Sequence, residues 1–239
     1  MTTTSAAPQR LYLMQVAALP QINIPIACYL VQTGDGTNIL IDSGLPEGAQ
    51  PPPGVPMPVM GKDVLEQLTQ LGLHPGDIDL LICTHFDPDH TGYHAAFTNA
   101  ELIVQRKHYE LARSGYRRFA ATRSQWDHPA LRYRLVEGDT QLVPGLELIE
   151  TSGHVPGHQS VLVRLPQTGP VLLTIDAVAQ QRSFTPEREA GPLDEDEEML
   201  RASTRKLLDL VQREQVPLII FGHDGEQWQT LKKAPDFYG

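Results

Sequence analysis

The chain has 239 residues, enough to bury a full core, and its 41% hydrophobic and 20% charged residues read as an ordinary globular composition rather than a disordered or membrane one. A formal net charge of -10 disfavours nucleic acid and anionic membranes as partners, since both reward a basic face, and no apolar run approaches the ~20 residues of a membrane helix. Residues 1–8 show no basic cluster followed by an apolar stretch, so the expectation is a cytoplasmic protein of one domain, 1–239, with Cys28 and Cys83 as buried free thiols.

Residues 10–16 and 26–31 read as strands, and 38–41 as a third, entered through the turn Thr33-Gly34-Asp35-Gly36. The third ends at Asp42-Ser43-Gly44, which composition alone reads as a turn. Residues 46–61 hold Pro46, Pro51, Pro52, Pro53, Pro56 and Pro58 with Gly48, Gly54 and Gly61, so no regular element is expected. A loop of that length in a compact domain is a candidate wall of a site. Val64, Leu65, Leu68 and Leu71 recur at helical spacing, and Gly72 stands where a helix stops.

The apolar run 80–83 reads as a buried strand that delivers Thr84-His85-Phe86-Asp87-Pro88-Asp89-His90-Thr91-Gly92 to its carboxyl end. Two imidazoles and two carboxylates within six positions are a grip for a divalent metal. Imidazole with carboxylate suits zinc, manganese, iron or cobalt, and the lack of thiolate argues against a closed structural zinc site.

A short strand at 102–104 and a helix at 107–114 follow. Residues 109–133 interleave Tyr109, Tyr116, Phe119, Trp126 and Tyr133 with arginines, either as a cap over a pocket or as a surface insertion that its aromatics anchor. Residues 146–150 alternate as a half-buried strand running into Thr151-Ser152-Gly153-His154-Val155-Pro156-Gly157-His158. Residues 160–165 and 171–175 form a strand pair whose second member ends at Asp176. The acidic run 194–198 opens a helix marked by Leu200, Thr204, Leu207, Leu208 and Val211, and reads as a solvated first turn complementing the helix dipole. The last strand, 217–221, ends at Gly222-His223-Asp224.

Four strands therefore finish in metal-capable residues: the His85 cluster, His154, Asp176 and His223. One shared centre explains all four, whereas a structural account must explain each separately. His74, His94, His108, His128 and His158 are read as hydrogen-bonded structural residues.

His85-x-Asp87-x-Asp89-His90-x-Gly92, then Gly153-His154, Asp176 and Gly222-His223, resembles the metallo-β-lactamase superfamily, whose motif is His-x-His-x-Asp-His with three later ligands in that order. Within it, Asn23-Ile24-Pro25, Asp42-Ser43-Gly44, the segment 153–160 and the tail 221–228 look like the N-acyl-homoserine lactone lactonases. The resemblance implies an α/β fold, a four-layer αβ/βα sandwich, with two divalent metals at one sheet edge, zinc before manganese, iron or cobalt. It puts His85, Asp87 and His154 on the first metal, Asp89, His90 and His223 on the second, and Asp176 between them, with Asp89 and Asp176 catalytic. The expected reaction is opening of a lactone with an apolar acyl chain by a monomer or homodimer. Two departures stand out: Asp87 replaces the family's second His, and Ala179 falls where many lactonases carry a Tyr hydroxyl. The alternatives are another hydrolase of the superfamily, acting on an ester, thioester or phosphodiester, and a non-hydrolytic di-iron protein.

Overall fold

Alternation at period two, with both faces apolar, is what builds the centre of this molecule. In the second strand Ala27, Tyr29 and Val31 face one core cluster while Ile26, Cys28 and Leu30 face another. The computed structural model describes residues 6–51 and 54–239; the start at 1–5 and Pro52 and Pro53 lie outside them. In chain order the elements are β1 (Pro8–Leu19), β2 (Ile24–Thr33), β3 (Asn38–Ile41), β4 (Val59–Met60), α1 (Val64–Gln70), β5 (Leu80–Ile82), α2 (Pro88–Thr91), β6 (Glu101–Gln105), α3 (Arg106–Arg113), α4 (Arg123–Trp126), β7 (Arg132–Val136), β8 (Thr140–Val143), β9 (Leu146–Glu150), β10 (Gln159–Leu165), β11 (Gly169–Ile175), α5 (Glu197–Glu214), β12 (Leu218–Phe221) and α6 (Gly225–Thr230).

One sheet has the order β4-β1-β2-β3-β5-β6-β7 and the other β12-β11-β10-β9-β8. Their inner faces share one core, with Ile39, Ile41, Ile82 and Ile103 from the first meeting Val161, Val163, Val171 and Leu173 from the second. The outer face of the first sheet packs Leu40, Leu81 and Val104 against Val64, Leu68 and Ala112 of α1 and α3. The outer face of the second packs Leu162 and Leu172 under Leu207 and Leu210 of α5. The result is the expected αβ/βα sandwich. No helix among the described residues is long and apolar enough to cross a membrane.

Three local departures from the sequence reading have physical causes. The proline-rich stretch does contain a short strand, because Val59 and Met60 pair with Ala18 and Ala17 at the sheet edge. The edge strands β7 and β8 were not expected: β7 reads Arg-Tyr-Arg-Leu-Val with its arginines exposed, the charge-blunted pattern of a sheet edge. The short helix α6 was not expected either. It is capped by Asp224, which accepts from the Glu226 and Gln227 amides.

The strand directions position the site. β3, β5 and β6 run parallel, as do β11 and β12, so the segments following β3, β5, β11 and β12 emerge at carboxyl ends of the two sheets. There the sheets are stitched together, Gln159 donating from its side chain to Cys83 O at 2.8 Å and from its amide to Thr84 O at 3.2 Å. Gly92 closes this edge: its amide donates to Gly44 O at 2.7 Å, and a Cβ there would lie 2.4 Å from Pro46 N and 2.5 Å from Leu45 C. Because those obstacles are backbone, Gly92→Ala should cost about 1–3 kcal/mol. Denaturant unfolding of the metal-free variant tests this, and an unchanged midpoint would show that the two loops are free to separate.

Candidate metal centre

His85 and Asp87 follow β5, Asp89 and His90 belong to α2, His154 follows β9, and Asp176 and His223 follow β11 and β12. All seven meet. Their donor atoms form three overlapping groups, His85–Asp87–His154, His85–His90–Asp176 and Asp89–His90–His223. Asp176 faces both sides. Its Oδ2 lies 3.9 Å from His85 Nε2 and 3.5 Å from His154 Nε2, its Oδ1 lies 3.4 Å from His90 Nε2, and His223 Nε2 stands 3.1 Å from Oδ1 and 3.2 Å from Oδ2. Asp87 Oδ2 is 3.3 Å from His85 Nε2, and Asp89 Oδ2 is 3.7 and 3.6 Å from His90 and His223 Nε2. Ligands about 2.0–2.2 Å from a tetrahedral ion stand about 3.3–3.6 Å apart, so these spacings suit metal coordination. His85 Nε2, His90 Nε2 and Asp176 Oδ1 are buried without a hydrogen-bond partner among the described residues. Orphaned lone pairs converging in this way fit a cation and little else.

The other ring nitrogen of each imidazole is spoken for. His90 Nδ1 donates to Asp42 Oδ2 at 2.8 Å; Thr84 Oγ1 donates to the same oxygen at 2.7 Å and receives His85 Nδ1 at 3.1 Å. His154 Nδ1 donates to Asp194 Oδ1 at 2.8 Å and His223 Nδ1 to Pro25 O at 2.9 Å. Each bond fixes the tautomer that leaves Nε2 as the ligating atom. Two residues flanking the sheet edge accept backbone strain to do this: Asp42 has φ 57°, and the β-branched Ile175, just before Asp176, has φ 52°. Gly222 permits the close approach of β12, since a Cβ there would meet Ile175 O at 2.5 Å.

Four residues carry more here than their local sequence suggests. Asp42 is a fully buried acceptor rather than a turn former. The acidic run at 194–198 is only partly a solvated first turn: Glu197 and Glu198 are exposed and Asp196 caps α5, but Asp194 turns inward onto His154 and Glu195 pairs with Arg118. Arg118 itself grips Asp87 with two bonds, Nε to Oδ1 at 2.7 Å and Nη2 to Oδ2 at 2.5 Å. Nothing in the local sequence pairs it with a residue 31 positions away. The remaining histidines stay outside the cluster. His108 receives the Phe86 amide, His94 meets Ser43 Oγ at 2.6 Å, and His158 bonds Thr151 while accepting the Asp176 amide. His74 is exposed and His128 half-buried.

A cleft of about 370 Å³ opens beside the cluster. Asp87, Asp89 and Arg118 form its polar end, and Leu19, Ile26, Leu45, Val55, Pro58 and Leu193 its apolar walls. The proline-rich loop thus lines the cleft as expected. The aromatic segment mostly does not: it contributes Arg118 and Ala121, while Phe119 and Trp126 are buried against Phe86, with Trp126 stacked on it at 5.1 Å. Its aromatics are anchors.

Without metal the cluster holds protons. Burial lowers His223, but the Asp176 carboxylate beside it outweighs this and lifts its pKa to about 9. His154 likewise rises to about 9, burial being overcome by the hydrogen bonds to Asp194 and Asp87, whereas burial and the His90 charge bring His85 down to about 3. A pKa raised on folding stabilises the chain fully below the unfolded imidazole value, about 6.5, and the effect is lost as pH climbs through the folded value. Metal-free protein should therefore lose thermal stability as pH rises from about 6.5 toward the folded value of about 9, and zinc binding near neutral pH should release protons. Calorimetry in buffers of different ionisation enthalpy reads that release; none would contradict the assignment. Asp42→Asn, which breaks the shared acceptor, should weaken metal affinity about 10–100-fold with the fold retained. Chelator competition measures it, and an unchanged affinity would show that Asp42 does not orient the imidazoles.

The metallo-beta-lactamase superfamily model matches residues 23–223. An N-acyl homoserine lactonase, AiiA of Bacillus thuringiensis subsp. kurstaki, is 37% identical over 229 residues, covering 90% of this chain and 88% of that protein. A solved N-acyl homoserine lactone hydrolase with the product N-hexanoyl-L-homoserine at its catalytic metal centre superposes with a TM-score of 0.84 at 32% identity, over 97% of this chain and 100% of that one. A B. thuringiensis AiiA mutant with N-decanoyl-L-homoserine bound gives 0.85 at the same identity and coverage. With the fold, the motif order and these likenesses in agreement, the chain belongs to the metallo-β-lactamase superfamily and, within it, to the family of the N-acyl homoserine lactonases.

Proposed function

We propose that the protein is a metal-dependent hydrolase that opens the ring of N-acyl-homoserine lactones, a quorum-quenching lactonase. The observation that carries this reading is the placement of Asp176 between the two sets of imidazoles, Oδ2 toward His85 and His154, Oδ1 toward His90, and His223 Nε2 within reach of both oxygens, beside the polar end of an apolar cleft. Asp176 joins the two sites, His85, Asp87 and His154 complete the first, and Asp89, His90 and His223 complete the second. Zinc suits this donor set, as do manganese, iron and cobalt. Two divalent cations held there would supply an activated water and a Lewis acid for the ester carbonyl. Asp89, on the cleft wall, would take the proton released as water adds to the carbonyl and pass it to the departing alkoxide oxygen.

The cleft supports an apolar acyl chain as the tail of the substrate, and its volume is within the range of small-molecule sites. Ala179 is half-buried and offers no hydroxyl, so orientation rests on the metal ligands and the apolar walls. The relatives bound to hexanoyl- and decanoyl-homoserine support the same substrate class. We assign the chain to one catalytic domain in the cytoplasm, where Cys28 and Cys83, both free and buried, would stay reduced.

Proton release from lactones of graded acyl length tests the reading. Turnover should depend strongly on chain length, and Asp176→Asn or His223→Ala should each lower it by about 10³-fold or more while the fold survives. Metal-replete protein that opens no lactone but cleaves a thioester or phosphodiester would overturn the substrate and keep the metal centre.

A further inference from the structure

The residue that departs from the family motif, Asp87, is also the one held by a cation of this chain's own. Arg118 is held through all three of its nitrogens. Nε and Nη2 bind both oxygens of Asp87, Nη1 binds Leu193 O at 2.7 Å and Glu195 Oε1 at 3.0 Å, and Nη2 also lies 3.0 Å from His154 Nε2. The same two atoms, Asp87 Oδ2 and His154 Nε2, stand 3.2 Å apart and are ligands of the first site. A metal about 2.1 Å from both and the Nη2 nitrogen at its observed distances cannot be more than about 3.6 Å apart, even on opposite sides of the line joining the ligands. Two positive charges would then share one pair of ligand atoms in a buried setting, where repulsion is poorly screened.

The guanidinium is firmly placed. The buried Phe119 that follows it packs on Phe86, Trp126 Nε1 donates to Phe119 O at 2.9 Å, and Glu195 holds the far edge of the fork. Charge explains the pairing: an Asp87–Arg118 pair is neutral, as a single imidazole at position 87 would be, yet it puts its positive end at the site. The second site has no such competitor; among the described residues, no Lys or Arg is paired with Asp89, and Asp176 pairs only with histidines.

We infer that Arg118 is a built-in competitor for the first metal: the Asp89–His90–Asp176–His223 site loads tightly, and the His85–Asp87–His154 site loads weakly because its ion must draw Asp87 away from the guanidinium. This unequal loading rests on the donor geometry and not on the substrate, so a failed lactone assay leaves it standing.

The test is zinc titration of metal-stripped full-length protein against a chromophoric chelator, with metal content checked by elemental analysis after dialysis. Wild type should retain one tight equivalent and bind the next at least about 10-fold more weakly. Arg118→Met keeps much of the aliphatic stem and removes the charge, and should tighten that second equivalent by about 10-fold or more. Arg118→Lys keeps the charge but lacks the planar two-bond fork and should tighten it partway. Wild type that holds two equivalents equally tightly, or a second equivalent unmoved in whichever variant folds, would overturn the inference.

Discussion

Two of the four imidazoles at the metal edge, one from each side of the centre, depend on one buried carboxylate accepting two side-chain hydrogen bonds on a single oxygen. Asp42 Oδ2 takes His90 Nδ1 directly and His85 Nδ1 by way of the Thr84 hydroxyl, while Oδ1 takes the Thr84 amide at 2.8 Å. Burial pushes the Asp42 pKa up, and the His90 charge and the Thr84 bonds counter it. An acid left unpaired in that position would be a heavy cost, and the Thr84 and His90 bonds remove it. The same bonds that satisfy the acid turn two Nε2 atoms inward.

The scaffold reaches this point by simple means. Strands apolar on both faces lie between helix layers and a facing sheet, and the parallel pairs β3–β5 and β11–β12 bring their carboxyl ends to the metal edge. Loops positioned by such a frame can carry chemistry without stabilising the fold themselves. The proline-rich loop is an instance: it adds two residues to the sheet edge and lends Val55 and Pro58 to the cleft.

Much of this was legible in the sequence because its signals are local. The ligands stand immediately after apolar runs, so a linear reading finds His85, Asp87, Asp89, His90, His154, Asp176 and His223 from four strand ends. Partners recruited across the fold have no such signal. Asp42 and His90 are 48 residues apart, and His154 and Asp194 are 40 apart. A buried acid and a turn-forming acid look alike until the tertiary structure brings a donor to one of them. The aromatic segment shows the same limit: Phe119 and Trp126 are spaced like a surface insertion but packed as core, and the residue that matters beside them is the arginine. The edge strands β7 and β8 escaped because a strand with exposed residues on one face keeps only half of the apolar signal.

The central claim is that each ligating imidazole carries its proton on Nδ1 and presents Nε2 to the metal. Long-range ¹H–¹⁵N correlation spectra of the zinc-loaded protein, with the ring nitrogens labelled, report this for each histidine. The account predicts an Nδ1–H tautomer with a metal-shifted Nε2 for His85, His90, His154 and His223. An Nε2–H tautomer, or metal on Nδ1, at His85 or His90 would contradict it, because the Asp42 network would then not be what aims those two rings.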